Sequence, residues 1–308
     1  MALSSKDLLG MQQVSADEIA EILEVSQQMK QFIVENQKRT PHLQGKSIIT
    51  LFYENSTRTR MSFELASKYM SAAAANISSS GSSVQKGETL IDTGATLDMM
   101  GTDIIIIRHP MSGAPHLLAK HVKAGVINAG DGMNEHPTQA LLDMYSMKEK
   151  FGRLEGLKVA IVGDVAHSRV ARSNVWGLQK MGAQVILAAP ETLIPLGMES
   201  LGVQITHDVD DAVRGADVVM ALRMQLERQD DALVPSVREY SRFFGVDGRR
   251  LALASPDAII MHPGPANRGV EITSQIADSQ ASVIREQVLN GVAVRMALLF
   301  LLTRRTNR

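Results

Sequence analysis

The sequence predicts an α/β protein of two domains, each of which is a parallel sheet flanked by helices. Its 308 residues fit two domains, because a domain averages roughly 150 residues. Short apolar runs alternate with helical patterns, which is typical of parallel sheets that are covered on both faces. This alternation occurs twice, and a helix at 137–150 with a turn at 151–153 separates the two series.

The first predicted element is a helix that begins after Ser15. Ser15 and Glu18 have the spacing of a capping box, and Val14 and Ile19 occupy the two hydrophobic-staple positions. A Ser/Gly stretch at 78–83 interrupts the order of the first half. The other elements predicted there are a strand at 47–53, a helix through Met61, Leu65 and Tyr69, a helix at about 89–100, a strand at 103–107, a helix at 114–123 and a strand at 124–128.

The second half repeats the architecture but not the sequence of the first half. Its predicted elements are strands at 158–163, 184–188, 204–206, 217–222 and 258–261, and helices at 168–181, near Leu193, at 209–214 and at 282–303.

Composition excludes several classes of protein. The chain has 32 Lys and Arg against 33 Asp and Glu, so its net charge of -1 argues against nucleic-acid binding through bulk charge. The absence of cysteine excludes disulfides, thiolate zinc sites and a cysteine nucleophile. Residues 1–10 lack the apolar core of a signal peptide, and Arg295 interrupts the apolar tract at 292–302, so a cytoplasmic location is the expectation.

Ligands of open α/β sheets bind beyond the carboxyl ends of the strands, so the residues that follow each strand are the candidates for chemistry. Ser56, Thr57, Arg58, Thr59 and Arg60 lie between a strand and a helix. A helix N-terminus offers unpaired N–H groups and a positive dipole end, and these side chains add hydroxyls and charge. The segment therefore favours anion binding over a simple capped helix start.

Two further candidates follow strands of the first half. Arg108 comes at a strand exit, where it either reaches the same crevice or remains a surface arginine. Pro137 fits the first position of a helix, which places His136 and Gln139 on one face of its opening turn. That pair either donates hydrogen bonds to a carbonyl or an amide, or caps the helix.

The second half offers two more strand exits. The loop 163–169 lacks the glycine spacing of dinucleotide and P-loop sites, but its Arg169 can bind a carboxylate. Arg223 and Gln225 point the same way in extended chain and either face one ligand or form an exposed pair.

Two loops have no clear role on their residues alone. Ser82 and Lys86 lie in a stretch that reads as a linker with one solvated lysine. The turn of Pro263, Gly264 and Pro265 after His262 either lines a pocket with backbone carbonyls or is only a turn.

The residue set as a whole is cationic and rich in hydrogen-bond donors. We find no Ser-His-Asp triad, paired-carboxylate site, H-E-x-x-H motif or cluster of metal ligands, so neither a metal nor another cofactor is expected. Such a set indicates a transferase that stabilises anions and a developing oxyanion.

Two motifs resemble signatures of the aspartate and ornithine carbamoyltransferases. Residues 52–60 read FYENSTRTR, which is similar to the family's carbamoyl-phosphate signature, and residues 136–140 read HPTQA, which is similar to its second signature. The later motifs resemble the aspartate branch: HPGP at 262–265 in place of His-Cys-Leu-Pro, RMQ at 223–225 in place of Ser-Met-Gly, and KGE at 86–88.

The resemblance implies a function and a domain plan. The function is transfer of the carbamoyl group of carbamoyl phosphate to the amine of L-aspartate, which gives N-carbamoyl-L-aspartate and phosphate early in de novo pyrimidine biosynthesis. The plan is a carbamoyl-phosphate domain at 1–136, completed by a helix at about 283–308, a linking helix at 137–150 and an aspartate domain at 151–282, with the two domains joined by two crossing helices. A homotrimer with shared active sites is implied, whereas regulatory chains or a dihydroorotase partner are left open.

The resemblance also implies a role for each matched residue. Ser56, Thr57, Arg58 and Thr59 bind the phosphate; Thr59, Arg108 and His136 polarise the carbamoyl oxygen, and Gln139 binds the carbamoyl amide; Arg169, Arg223 and Gln225 bind the aspartate carboxylates; Ser82 and Lys86 reach in from a neighbouring subunit; and the backbone of Pro263, Gly264 and Pro265 lines the pocket.

Three alternatives remain open at this point: a carbamoyltransferase with another amine acceptor, an inactive subunit that acts as a scaffold, and a phosphate-binding sensor.

Overall fold

A computed structural model describes residues 3–78, 87–225 and 233–305. The described elements, in chain order, are α1 (Ala16–Val34), β1 (Ser47–Phe52), α2 (Thr57–Tyr69), β2 (Ala73–Ser78), α3 (Leu90–Met99), β3 (Ile104–His109), α4 (Ala114–Ala119), β4 (Gly125–Asp131), α5 (Pro137–Phe151), β5 (Lys158–Val162), α6 (Arg169–Lys180), β6 (Gln184–Ala188), β7 (Gln204–Thr206), α7 (Val209–Val213), β8 (Val218–Ala221), α8 (Val237–Phe244), α9 (Gly248–Leu251), β9 (Ile259–Met261), α10 (Ser274–Ala277) and α11 (Ile284–Arg305).

The chain forms two units. Unit 1 comprises Met1–Tyr145 and Val288–Arg308, and unit 2 comprises Ser146–Gln287. The chain passes from one unit to the other inside α5 and again inside α11, so both connections are helical. The predicted fold class, two parallel sheets flanked by helices, is confirmed.

Unit 1 contains a four-stranded parallel sheet in the order β2-β1-β3-β4. The residues of β3 are four consecutive isoleucines followed by Arg108 and His109, and all four isoleucines are buried. Such a continuous apolar run is expected of a central parallel strand, because helices cover both of its faces. Ile105 and Ile107 pack in one cluster with Leu51, Leu97 and others on one side of this sheet.

Strand β2 was not predicted. Its residues, AAANIS, include three alanines and one asparagine, which are poor strand formers. The strand forms because it pairs in parallel with β1 over its whole length, from Ser47 opposite Ala73 to Phe52 opposite Ser78. Tertiary pairing thus overrides a weak local preference.

Unit 2 contains a five-stranded parallel sheet in the order β7-β6-β5-β8-β9. The chain runs outward from β5 through β6 to β7. It then returns, so that β8 pairs with β5 on the side opposite β6. The helix predicted near Leu193 is a 3-10 turn, Glu191–Leu193. The short helices α8, α9 and α10 were not predicted, because each is too short for a periodic apolar pattern to be recognised.

Two helices begin where the sequence predicts. Ser15 caps α1 in a full capping box with Glu18, as predicted. Pro137 is the first residue of α5, where its missing N–H costs nothing.

The apolar tract at 292–302 lies within the longer helix α11. Helix α11 is long and apolar enough to cross a membrane by length and composition, but 78% of its most apolar window is buried inside the protein. Its apolar residues are therefore satisfied by packing within the chain.

Candidate active site

The carboxyl ends of β1, β3 and β4 meet at one edge of the sheet of unit 1. Phe52 of β1 lies opposite Arg108 of β3, and His109 lies opposite Asp131 of β4. Because the three strands are parallel, the segments that leave them lie at the same edge. This register collects the predicted residues of the first half in one region.

The N-terminus of α2 lies at this edge. Ser56 is its N-cap residue with extended backbone, yet the Ser56 side chain makes no capping hydrogen bond. Thr57 and Arg58 are exposed, whereas Thr59 is 7% exposed in the first turn. The first turn also contains no acidic residue. Its N–H groups, hydroxyls and positive dipole end suit an anion.

Arg108 is held at the sheet edge by an acid from the neighbouring strand exit. Its Nη2 donates to Glu54 Oε1 at 2.8 Å, and its Nη1 donates to the Ala129 carbonyl at 3.4 Å. The Arg108 side chain is only 12% exposed, so this is a partly desolvated ion pair. Glu54 lies two residues before the predicted anion-binding segment, and no role was predicted for it.

His136 and Gln139 flank the start of α5, as their spacing predicts. The His136 carbonyl accepts the Gln139 N–H at 3.0 Å, so this residue opens the helix, and its side chain is 4% exposed. Gln139 Nε2 donates to Asp143 Oδ1 at 2.9 Å. The His136 Nδ1 lies 3.5 Å from Thr138 Oγ1.

The loop before His136 is built by two buried acids. Asp131 accepts the N–H of Gly113 at 2.7 Å and that of Glu135 at 3.2 Å. Glu135 Oε2 in turn accepts the Met11 N–H at 2.7 Å, which ties the N-terminal segment to this loop. These acids fix the backbone that presents His136.

A buried cation lies beneath this edge of unit 1. Arg295 of α11 is 3% exposed, and its guanidinium lies over the Phe63 ring at 5.0 Å. The pKa of Arg295 is lowered to about 9. Burial is the main cause, the charge of Arg108 lowers the pKa further, and the charge of Asp143 partly opposes both. At neutral pH the group is therefore charged. Sequence reasoning treated Arg295 only as an interruption of an apolar tract.

In unit 2, Arg169 is the first residue of α6 and directly follows the loop that leaves β5. Ser168 caps this helix by accepting the Ala171 N–H at 3.1 Å, and Arg169 is 4% exposed. Asp164 in the same loop accepts from His167 Nδ1 at 2.8 Å and from the Gln225 N–H at 3.2 Å. The loop of Arg169 and the loop of Gln225 thus share one buried carboxylate.

Arg223 and Gln225 leave the neighbouring strand β8 with their side chains in contact. Arg223 Nη1 donates to Gln225 Oε1 at 3.4 Å, as two-residue alternation predicts. The residue between them, Met224, is fully buried and points the other way. The pair therefore presents a guanidinium fork and an amide together.

The turn at Pro263, Gly264 and Pro265 follows β9, the next strand of the same sheet. Gly264 has a φ of 67°, in the left-handed region, and the Gly264–Pro265 peptide bond is cis. The Gly264 N–H donates to His262 Nδ1 at 2.8 Å. Since that nitrogen accepts, the ring proton lies on Nε2, which donates to Glu271 Oε1 at 3.1 Å.

Glu271 joins this turn to the Arg223 loop. It is 1% exposed and accepts the N–H groups of Asn267 and, at 3.5 Å, Met224. Asn267 completes the connection, because its Nδ2 donates to the Met224 carbonyl at 3.2 Å. Glu271 was not predicted as a member of the site, because its link to the Arg223 loop spans 47 residues of sequence.

Gly163 allows the strand exits of β5 and β8 to approach each other. A Cβ atom there would lie 2.9 Å from Tyr240 Oη and 3.0 Å from the Leu222 carbonyl, and the φ of Gly163 is 127°. Burial, and then the charges of Asp164 and Glu271, raise the pKa of Tyr240, so this phenol is neutral. The glycine at this position therefore serves close packing.

Two predicted residues, Ser82 and Lys86, lie outside the described residues. Within the described ranges, the structure contains no cluster of His, Cys, Asp or Glu side chains that could hold a metal ion. The other predicted residues form two sets, each at the carboxyl edge of one sheet. The set of unit 1 can bind a phosphate and polarise a carbonyl, and the set of unit 2 can bind carboxylates.

Family models match both halves of the chain. Residues 6–149 match "Aspartate/ornithine carbamoyltransferase, carbamoyl-P binding domain", and residues 155–302 match "Aspartate/ornithine carbamoyltransferase, Asp/Orn binding domain".

Relatives of 55–69% sequence identity are aspartate carbamoyltransferase catalytic subunits, whereas solved structures of both branches share the fold. The chain is 69% identical to the aspartate carbamoyltransferase catalytic subunit of Ruminiclostridium cellulolyticum, over 99% of this chain and 97% of that one. Its fold is similar to aspartate transcarbamoylase from Trypanosoma cruzi in complex with carbamoyl phosphate and aspartate (TM-score 0.88, 30% identity, 97% of each chain). It is equally similar to ornithine carbamoyltransferase from Pyrococcus furiosus (TM-score 0.87, 32% identity, 98% of each chain).

Proposed function

This chain belongs to the aspartate/ornithine carbamoyltransferase family, and we propose that it transfers the carbamoyl group of carbamoyl phosphate to the amine of L-aspartate. The products are N-carbamoyl-L-aspartate and phosphate, which makes the reaction an early step of pyrimidine biosynthesis. The family expected from the sequence is confirmed.

The choice of aspartate over ornithine is carried by the contact between Arg223 and Gln225. A second substrate with two carboxylates requires cationic donors, and a planar guanidinium binds a carboxylate in a bidentate manner. Arg169 adds a second guanidinium at the neighbouring strand exit of the same sheet. An acceptor with a cationic side chain would instead require an acid at these positions.

Carbamoyl phosphate is assigned to unit 1. Ser56, Thr57, Arg58 and Thr59 bind its phosphate through hydroxyls, charge and the helix N-terminus, which the exposed first turn of α2 supports. Arg108, His136 and the Thr59 hydroxyl donate to the carbamoyl oxygen, and Gln139 binds the carbamoyl amide. The C–O–P oxygen leaves with the phosphate.

The reaction proceeds by attack of the neutral aspartate amine on the carbamoyl carbon. A tetrahedral oxyanion forms, and donors that are already in place stabilise it; removal of one such donor typically costs about 10²–10³ in rate. The departing phosphate accepts the amine proton. Two acids contact the proposed donors, but Glu54 is paired with Arg108 and Asp143 accepts from Gln139, so neither is assigned as the base.

Carbamoyl transfer by the purified chain tests this function directly. We expect product from carbamoyl phosphate with L-aspartate and none with L-ornithine. Product with ornithine alone would contradict the roles of Arg223 and Gln225. Phosphate binding without product from either amine would identify a sensor or scaffold.

We further propose a homotrimer in which Ser82 and Lys86 of one subunit complete the site of its neighbour. In unit 1, Met99 and Met100 at the end of α3 are 89% and 74% exposed, which supports coverage of this surface by another chain. Mixtures of Lys86→Ala and Arg58→Ala chains, each inactive alone, are expected to regain activity because one site in the mixed trimer is intact. Mixtures that stay inactive, although sedimentation shows exchange of subunits, would refute the shared site.

A cytoplasmic location is part of the same proposal, and the burial of α11 inside the protein is compatible with it. Cell fractionation tests it, and enzyme in the membrane fraction would contradict it.

A further inference from the structure

Arg295 occupies a niche that is shaped for its guanidinium. Gly291 lies four residues before it on α11, and a Cβ atom at Gly291 would lie 2.6 Å from Arg295 Nη1. The Nη1 donates to the Gly291 carbonyl at 3.0 Å, and Phe63 covers the guanidinium face at 5.0 Å. A glycine inside a helix costs about 1 kcal/mol relative to alanine, so this helix gives up stability to house a buried charge.

One chain of contacts leads from Arg295 to His136. Arg295 Nη2 donates to Thr138 Oγ1 at 3.4 Å, and Thr138 Oγ1 lies 3.5 Å from His136 Nδ1. A guanidinium can only donate, so the Thr138 oxygen accepts from Arg295, and its own proton remains available for donation to Nδ1. Both distances are at the long end of the hydrogen-bond range.

Gln139, which lies in the same opening turn of α5 as Thr138, is held by an acid. Asp143 Oδ1 accepts from Gln139 Nε2 at 2.9 Å. The carboxylate can accept from the Gln139 amide only while that amide is turned so that its NH₂ group faces Asp143. The Gln139 carbonyl oxygen is then the end that can accept from the carbamoyl amide.

We propose that Arg295 is a positioning residue for carbamoyl transfer: through Thr138 it keeps Nδ1 of His136 as an acceptor. In a neutral imidazole whose Nδ1 accepts, Nε2 bears the proton and donates to the carbamoyl oxygen. The effect of Arg295 on catalysis rests on the proposed function. The contacts that connect Arg295 to His136 do not depend on that function.

The connection itself is tested by nitrogen NMR of protein labelled with ¹⁵N-histidine, with the His136 resonances assigned by their loss in His136→Gln. We expect an unprotonated, hydrogen-bonded Nδ1 in the wild-type chain. Thr138→Val removes the donor, so Nδ1 should move toward the frequency of a free acceptor nitrogen. Arg295→Met should move it in the same direction, and the double variant no further than Thr138→Val alone.

Gly291→Ala provides a second perturbation that keeps the Arg295 side chain. The added methyl group displaces the guanidinium, so the Nδ1 resonance should move as it does in Arg295→Met. A Nδ1 resonance that is unchanged in both variants, or shifts that simply add in the double variant, would overturn the proposal.

Kinetics separate positioning from a purely structural role. At a temperature at which all variants are folded, Arg295→Met and Thr138→Val should each lower kcat about tenfold, and the double variant should be no slower than the worse single variant, because coupled residues are not additive. Arg295→Lys keeps a charge beside Asp143 but lacks the planar fork, so it should recover stability and not kcat. Full recovery of kcat by Lys would refute the geometric role.

Thr303→Val is the matched control on the same helix. Thr303 is 3% exposed, and its hydroxyl donates to two carbonyls of α11, those of Leu299 at 2.7 Å and Phe300 at 3.1 Å. It should lower the melting temperature and leave kcat unchanged. If the wild-type chain shows the expected Nδ1 resonance and its loss in the variants but transfers no carbamoyl group, the proposed function fails and the Arg295 connection stands.

Discussion

Glu271→Gln should destabilise unit 2 and selectively weaken aspartate binding. The glutamate is 1% exposed and accepts from His262 Nε2 at 3.1 Å, from the Asn267 N–H and from the Met224 N–H at 3.5 Å. All three partners donate. A glutamine keeps the shape but replaces one oxygen by an NH₂ group, which cannot accept.

The structure indicates which partner is lost. Oε1 has two donors and Oε2 has the single, longer one, so the amide oxygen should occupy the Oε1 position and turn its NH₂ group toward Met224. Two buried donors then face each other, at a cost of about 1–3 kcal/mol, and the remaining bonds lose the benefit of the charge. We expect a total of about 3 kcal/mol, which corresponds to a fall in melting temperature of about 6–12 °C for a unit of this size.

The functional consequence follows from the backbone that Glu271 holds. Met224 lies between Arg223 and Gln225, so a loosened N–H should misplace both side chains. The KM for aspartate should rise, whereas the KM for carbamoyl phosphate, assigned to unit 1, should change by less than about twofold. Calorimetry and steady-state kinetics measure both effects, with exposed Glu199→Gln as the control for loss of a charge in the same unit. An unchanged melting temperature, or an equal rise in both KM values, would refute the reasoning.

Three further predictions concern packing, specificity and pH. Gly163→Ala should lower the free energy of unfolding by about 3 kcal/mol, since its Cβ would clash with Tyr240 and the Leu222 carbonyl. Gly197 has a φ of 82° and open space around it, so Gly197→Ala should lose only about 1 kcal/mol through backbone strain. Equal losses in chemical denaturation would argue against the clash. Arg223→Met should raise the KM for aspartate about 10²-fold and spare that for carbamoyl phosphate, so equal effects on both substrates in initial-rate assays would contradict its assignment. Burial raises the pKa of Glu18, but hydrogen bonds from Ser4 and Ser15 outweigh it and lower the pKa to about 2 from its usual 4.5. The ionised side chain therefore stabilises the fold above pH 4.5, and this contribution is lost as the pH falls toward 2. Denaturation curves of Glu18→Gln should lack this pH dependence.

The parts of the fold that the sequence predicts are those that local physics determines. The isoleucine run of β3 can be satisfied only in a central strand, and Ser15 with Glu18 specifies where α1 begins. Strand β2 is different, because its alanines form a strand only by pairing with β1. No local property of residues 73–78 contains that information.

The same distinction applies to the candidate site. Residues at strand exits and helix starts were found because the exit of a parallel strand is a general location for ligands. Glu54, Glu271 and Arg295 were missed as members of the site because the contact that joins each to the other site residues is distant in sequence: 54 residues to Arg108, 47 to Met224 and 157 to Thr138. Their roles depend on distances that only the folded chain brings within hydrogen-bond range. The binding roles of the predicted residues remain predictions.

The passage of the chain between the units inside α5 and α11 has a consequence for synthesis on the ribosome. Unit 2 is one continuous segment, Ser146–Gln287, and is complete in sequence once the first turn of α11 has been synthesised. Unit 1 begins first but lacks the segment Val288–Arg308 until that segment has also been synthesised. The nascent chain therefore holds an unfinished first unit, with the niche of Arg295 unfilled, while the second unit is free to fold. Shortening the chain at its C-terminal end should for this reason damage the unit that carries the N-terminus.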